Sequence, residues 1–170
     1  MGKDDELILR LERPDDIDDI GKVIQLAFAN SPYGDQQEHL IVHKLRQAGA
    51  LSLSLIAIIS NRIVGFAGTS PVGISDHSND WYGLGPVAVL PDLCGKGIGS
   101  MLVEEILHRL QLSGAAGCVV LGDPDYYRRF GFSPDDSLSF ADFDPELFQS
   151  IRFNDTFAHG DVSYHAAFYS

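Results

Sequence analysis

The sequence predicts a mixed α/β fold (α+β, with a mixed sheet), and three observations carry that prediction. The runs "LSLSLIAIIS" and "IVGFAGTSPVGI" are apolar and β-branched and are separated only by "NR", the pattern of two antiparallel strands joined by a tight turn. Residues 97–113 show the strongest helical period in the chain, with Ile98, Met101, Leu102, Ile106 and Leu110 on one face and Glu104, His108 and Gln111 on the other. Between the strand-like "GPVAVL" and that helix, Gly95, Gly97 and Gly99 alternate in "CGKGIGS".

In chain order, residues 6–11 are β-compatible and run into Pro14, Asp15 and Asp16. These supply first-turn chemistry for a helix on which Ile17, Ile20, Ile24 and Ala27 share a face. "NSPYGD" interrupts it, and residues 38–48 offer a second helix with Leu40, Ile41 and Leu45 inward, ended by Gly49. After the two strands, "SDHSND" reads as a polar loop. Residues 81–90 predict the next strand, but Gly83, Gly85 and Pro86 suit a central strand poorly and point to a bulge. Ser113 and Gly114 end the long helix. "GCVVLG" predicts a short buried strand, and "DPDYYRRFGF" a turn with a short helix. Beyond them, a strand opening at Phe132 and Ser133, a helical turn in "DPELF" and a last strand in "DVSYHAAF" are expected.

A chain of 170 residues fits one domain spanning residues 1–170. Its 45% hydrophobic and 21% charged residues are the balance of a folded protein rather than a disordered one. No apolar run approaches the roughly 18 residues of a membrane span, and "MGKDDELILR" lacks the apolar core of a signal peptide, so a cytoplasmic location is expected. A formal net charge of −12 argues against nucleic acid or anionic membrane as a partner. Cys94 and Cys118 match no metal spacing and are expected to be free thiols, Cys118 in the core. His39 and His43 stand four apart, yet Leu40 occupies the place where a zinc-hydrolase helix carries Glu, so no metal is expected.

The glycine loop has a physical reading of its own. A helix N-terminus presents amides with no intrahelical partner and a partial positive charge. Glycines there remove the β-carbons that would keep a phosphate away. The expectation is an anion, such as a pyrophosphate, on the backbone of Gly95, Lys96, Gly97, Ile98, Gly99 and Ser100, with Lys96 as a nearby cation. The alternative is that the glycines only let the helix pack tightly. The Walker pattern is absent, because Gly97 follows Lys96 where Ser or Thr should stand, and the dinucleotide fingerprint departs at Ser100.

"LGPVAVLPDLCGKGIGSMLVEEIL" followed by "YYRRFGF" resembles the GNAT superfamily of acyl-CoA-dependent N-acyltransferases, and "LGDPDYYRRFGF" resembles a bacterial subgroup of predicted N-acetyltransferases. The likeness runs from "LERPDD" to "VSYHAAF". It implies a GNAT-like fold with a splayed central strand pair. It also implies transfer of an acetyl group from the cosubstrate acetyl-CoA to an unidentified primary amine, by direct attack in a ternary complex, in a monomer or homodimer. The family signature, Gln or Arg, two residues, Gly, one residue, then Gly or Ala, falls on Cys94 through Gly99, with both glycines matching and Cys94 replacing the long polar side chain. By the same resemblance, the backbone of Val87, Ala88 and Val89 pairs with the pantetheine arm after a bulge at Gly85 and Pro86. Residues 119–121 are the splayed partner.

Tyr127, four residues before Gly131-Phe132, takes the family position of the general acid that protonates the departing thiolate. Reference pKa values of about 10 for a phenol and about 8.5 for a thiol allow that exchange. A tyrosine that only packs its ring is the alternative. Asp123 either contacts the cofactor arm or caps the short helix, and Arg128 and Arg129 either bind an anion or pair with surface carboxylates. Glu38, Asp76, His77, Asp80 or a water chain could serve as base. Two other functions stay open: a non-catalytic acyl-CoA-binding module, favoured by Cys94, and a dinucleotide-dependent oxidoreductase, favoured by the Gly-x-Gly pattern alone.

Overall fold

The apolar, β-branched sequence on either side of residue 60 folds as the expected hairpin. Strands β2 (Leu53–Ile59) and β3 (Arg62–Pro71) pair antiparallel from Leu53↔Thr69 to Ile59↔Arg62. The two linking residues, Ser60 and Asn61, are both left-handed, at φ 51° and 60°. This is the mirror-image turn whose twist matches that of the strands. Asn tolerates this conformation and Ser does so less readily, which explains a hairpin without the Asn-Gly signature.

A computed structural model describes residues 6–31, 35–141 and 143–169. They form two compact units, one of residues up to 69 with 86–106, the other of residues 70–85 with those from 107 onward. In the first unit, β1 (Ile8–Leu11) pairs antiparallel with β2. Helix α1 (Ile17–Phe28) buries Ile20, Val23 and Ile24, and α2 (Glu38–Gln47) buries Val42 and Leu45. Leu40, expected inward, is 40% exposed. Residues 32–34 of the predicted breaker lie outside the described residues. Helix α3 (Ile98–Leu112) buries Ile98, Leu102, Val103 and Ile106, so the inward stripe runs through Val103 and leaves Met101, expected inside, 43% exposed. The helix lies close on β3 at Gly65, where a Cβ would stand 3.0 Å from Leu102 Cδ1. Two partly buried ion pairs tie the unit together: Arg10 to Asp16 at 2.7 Å and Arg46 to Glu12 at 2.8 Å.

In the second unit, the opening of β5 (Trp81–Val89) runs parallel to β6 (Gly117–Leu121), and β6 pairs antiparallel with β8 (Phe148–Arg152). A small sheet orders β4 (Gly73–Ile74), β9 (Gly160–Ser163) and β7 (Leu138–Ser139). Trp81, Val119, Phe148 and Val162 are central to the core, with Phe140 and Tyr164 packed against them. Three local expectations are sharpened here. "DPELF" does close one turn, in which the Leu147 N–H donates to Asp144 O at 3.0 Å, but its Phe148 opens β8, whose buried Gln149 and Ser150 erase the apolar alternation that marks a strand. Ser133 makes a single bridge to Ser150 rather than opening a strand. The last strand stops at Ser163, and Ala166–Phe168 form a 3-10 turn.

Candidate active site

Strand β5 carries the predicted bulge. Val72 donates its N–H to Trp81 O, and Leu90 donates to Val64 O. From one bond to the other the chain takes nine steps along β5 against eight along β3, so one extra residue sits in β5. Gly85, at φ +145°, and Pro86 are where the backbone accommodates it. The parallel register with β6 ends just before, at Gly83↔Val119. After the bulge, Ala88 is buried while Val87 and Val89 are half-buried.

Beyond β5, a 3-10 turn at Pro91–Leu93 leads into the glycine loop. Gly95 and Gly97 have φ +81° and +84°, conformations that favour glycine, and a Cβ on either would meet nothing within 4 Å. Both glycines therefore face open space, so tight packing is not what requires them. Buried Ile98 anchors the start of α3, and the N–H groups of Ile98, Gly99 and Ser100 lack intrahelical acceptors by helix geometry. Lys96 is exposed beside them. The Cys94 thiol turns back toward the end of β5, with Sγ 3.6 Å from Leu90 O and 3.9 Å from Val89 O. These residues form a ready anion cradle in the first unit.

Tyr127 stands in the second unit, on α4 (Pro124–Arg128). Asp123 caps that helix by accepting the N–H of Asp125 at 3.0 Å. The Tyr127 ring lies over Gly122, where a Cβ would come within 2.8 Å of Cε2, and edge-on to Phe132 at 5.9 Å. Burial, with smaller contributions from Tyr126, Cys118 and Asp123, pushes its phenol up to about 12. It is therefore protonated at neutral pH and able to donate. Arg128 pairs with Asp125 at 3.6 Å, and the Arg129 guanidinium lies 4.7 Å from the Tyr126 ring centre.

Among the candidate bases, Asp76 is poorly suited. Hydrogen bonds from Ser78 and from the His159 N–H hold its carboxyl well below the usual carboxylate range. His77 and Asp80, left-handed at φ 67° and 66°, are exposed and line a cleft of about 650 Å³. Glu38 accepts the Asp35 N–H at 3.1 Å in the first unit. Sequence reasoning passed over one feature of the second unit: the side-chain polar atoms of Ser70, Trp81, Gln149 and Tyr164 are buried without hydrogen-bond partners. For Ser70, Trp81 and Gln149 the available signal was a polar group at a strand position that faces the core; Tyr164, one residue past β9, carried none. Among the described residues, no His, Cys, Asp and Glu side chains are grouped to hold a metal ion, and no helix is long and apolar enough to cross a membrane.

The Acetyltransferase (GNAT) domain family matches residues 51–134, the stretch that holds the hairpin, the bulged strand, the glycine loop and α4. "Uncharacterized N-acetyltransferase YhbS" of Escherichia coli K12 is 35% identical over 127 residues, which cover 74% of this chain and 73% of that protein. The chain belongs to the GNAT acetyltransferase family. Two solved GNAT structures share its fold over nearly its whole length. A GNAT family acetyltransferase from Brucella melitensis, in complex with acetyl-CoA, is 44% identical with a TM-score of 0.86, covering 96% of this chain and 99% of that one. Escherichia coli YhbS, in complex with CoA, is 31% identical with a TM-score of 0.88, covering 96% and 92%.

Proposed function

We propose that this chain, acting as one GNAT domain, transfers an acetyl group from acetyl-CoA to a primary amine by direct attack in a ternary complex. The observation that carries the reading is the loop before α3, with two left-handed glycines open to solvent at a helix N-terminus. The Brucella and Escherichia coli relatives with acetyl-CoA and CoA support the same cosubstrate here. The backbone from Gly95 to Ser100 receives the pyrophosphate, Lys96 adds a cation, and the backbone of Val87, Ala88 and Val89 pairs with the pantetheine arm.

As the free-base amine attacks, the N–C bond forms and the carbonyl electron pair moves to oxygen, where a backbone N–H of Val87–Val89 stabilises it. Its return breaks the C–S bond. Tyr127 supplies the proton that makes the thiol, and the proton lost by the amine returns to the phenolate through water. Cys94 is exposed, Cys118 is buried, and both are free, which supports a reducing compartment, the cytoplasm.

Thermal denaturation tests the reading. CoA or acetyl-CoA is expected to raise Tm, since a ligand that binds only the folded state stabilises it by mass action. Gly97→Asp adds bulk and negative charge in the cradle and should abolish that shift in a protein that still melts cooperatively. A retained shift overturns the phosphate assignment.

A further inference from the structure

Two of the buried side chains left without partners in the second unit, Ser70 and Tyr164, belong to one place in the sheet. Gly83 is the last β5 residue in register with β6, and its missing side chain is filled by Tyr164: a Cβ there would lie 2.6 Å from Tyr164 Cε1. The Val72 to Trp81 hydrogen bond sets Ser70 across from Gly83, two residues further along each strand. Thus two hydroxyls, those of Tyr164 and Ser70, are buried and unpartnered beside the residue at which β5 and β6 cease to pair. Buried polar groups in native proteins are overwhelmingly paired, and an exception calls for an explanation, of which a catalytic role is one.

The Tyr164 ring is held rigidly. It lies edge-on to Phe140 at 4.9 Å and against Phe168 at 5.2 Å, and its own N–H donates to the Tyr169 hydroxyl at 3.1 Å. Burial, with Cys118, Tyr169 and Tyr127 as neighbouring groups, pushes the phenol well above its ordinary value. It is therefore a fixed donor throughout the working pH range. A hydroxyl desolvated at folding and held in place needs no reorganisation when negative charge develops near it, which is the condition for oxyanion stabilisation.

We propose that the Tyr164 hydroxyl donates a hydrogen bond to the carbonyl oxygen of the bound thioester and strengthens it as that oxygen becomes negative. The proposal rests on the acetyl-transfer reading above. It makes Tyr164 a catalytic residue distinct from Tyr127.

Tyr164→Phe, in the full chain, deletes the hydroxyl and keeps the ring. Its unliganded Tm is expected to equal or exceed that of the parent, because an unpaired buried group is removed. Acetyl-CoA should still raise Tm, while kcat falls on the order of 10²-fold, at the lower end of the loss of one oxyanion donor. A second measurement needs no turnover. With acetyl-CoA labelled with carbon-13 at the thioester carbonyl, the infrared carbonyl band should lie at lower frequency in the parent than in Tyr164→Phe. Equal bands, or an unchanged kcat in a folded variant, overturn the proposal while leaving acetyl transfer standing. Failure of the parent itself to bind acetyl-CoA overturns both.

Discussion

Tyr127 gives the acid step its most specific test. Tyr127→Phe should leave the CoA-induced rise in Tm intact while kcat falls on the order of 10²–10⁴-fold. Because burial holds the phenol at about 12, the acid stays protonated as pH rises from 7 to 10. An alkaline loss of rate in that range then has another source and should persist in the variant. Unchanged kcat at every pH, measured where chemistry limits the rate, removes the acid role. The residue scale was also where sequence was most legible, and for a physical reason: Gly95, Gly97 and Gly85 hold backbone angles that other residues adopt only under strain, so their chemistry shows in the letters themselves. Tyr164 was not legible. Its importance depends on what is absent around its hydroxyl, which no local pattern encodes.

Strand pairing in the second unit depends on a close approach at Gly117. A Cβ at that position would lie 2.5 Å from the Trp81 ring and 2.7 Å from Ile151 O. Gly117→Ala should therefore be strongly destabilising, by about 1–3 kcal/mol or more, the usual cost of forcing extra bulk into a packed core. Equilibrium urea unfolding measures it, and a loss below about 0.5 kcal/mol would show that Trp81 can move aside. At this scale sequence reading succeeded where an apolar run or a helical period was clear, as in β2, β3 and α3, and failed where tertiary contacts override the pattern. Gln149 and Ser150 are polar yet buried in β8, and Met101 stands at the margin of an apolar stripe that runs through Val103.

For the molecule as a whole, acid is the informative stress. In the first unit, hydrogen bonding to Arg10 holds the Asp16 carboxyl low. In the second, burial raises that of Asp135, but the Ser137 N–H and Arg152 together overcome it, so it is also lowered. Carboxylates with depressed folded-state pKa values contribute stability above their unfolded pKa of about 4 and lose it as pH falls through the folded values. The urea midpoint is expected to hold from pH 7 to about 5 and to fall steeply below about 4. Asp135→Asn should lower the midpoint at neutral pH and flatten that acid limb. A variant with an unchanged acid limb would show that Asp135 is not part of it. The net charge of −12 acts oppositely, since protonation relieves repulsion, so the test is sharpest in moderate salt.

The extra residue in β5 also constrains what may be removed from the chain. A strand shows its side chains alternately to its two faces, and one inserted residue shifts that alternation by one. Trp81 and Gly83 are buried before the bulge, Ala88 and Leu90 after it, with Leu84 buried at the changeover. Odd positions thus give way to even ones. Substitution at Gly85 changes only local strain, whereas deleting it would bring the count along β5 to eight, equal to that along β3, so that Ala88 and Leu90 would keep the face they share with Trp81 and Gly83 while the bulge itself would be lost. A chain shortened by that one residue should therefore keep its core and lose the break in pairing, so the extra residue serves the path of the backbone and not the facing of the side chains.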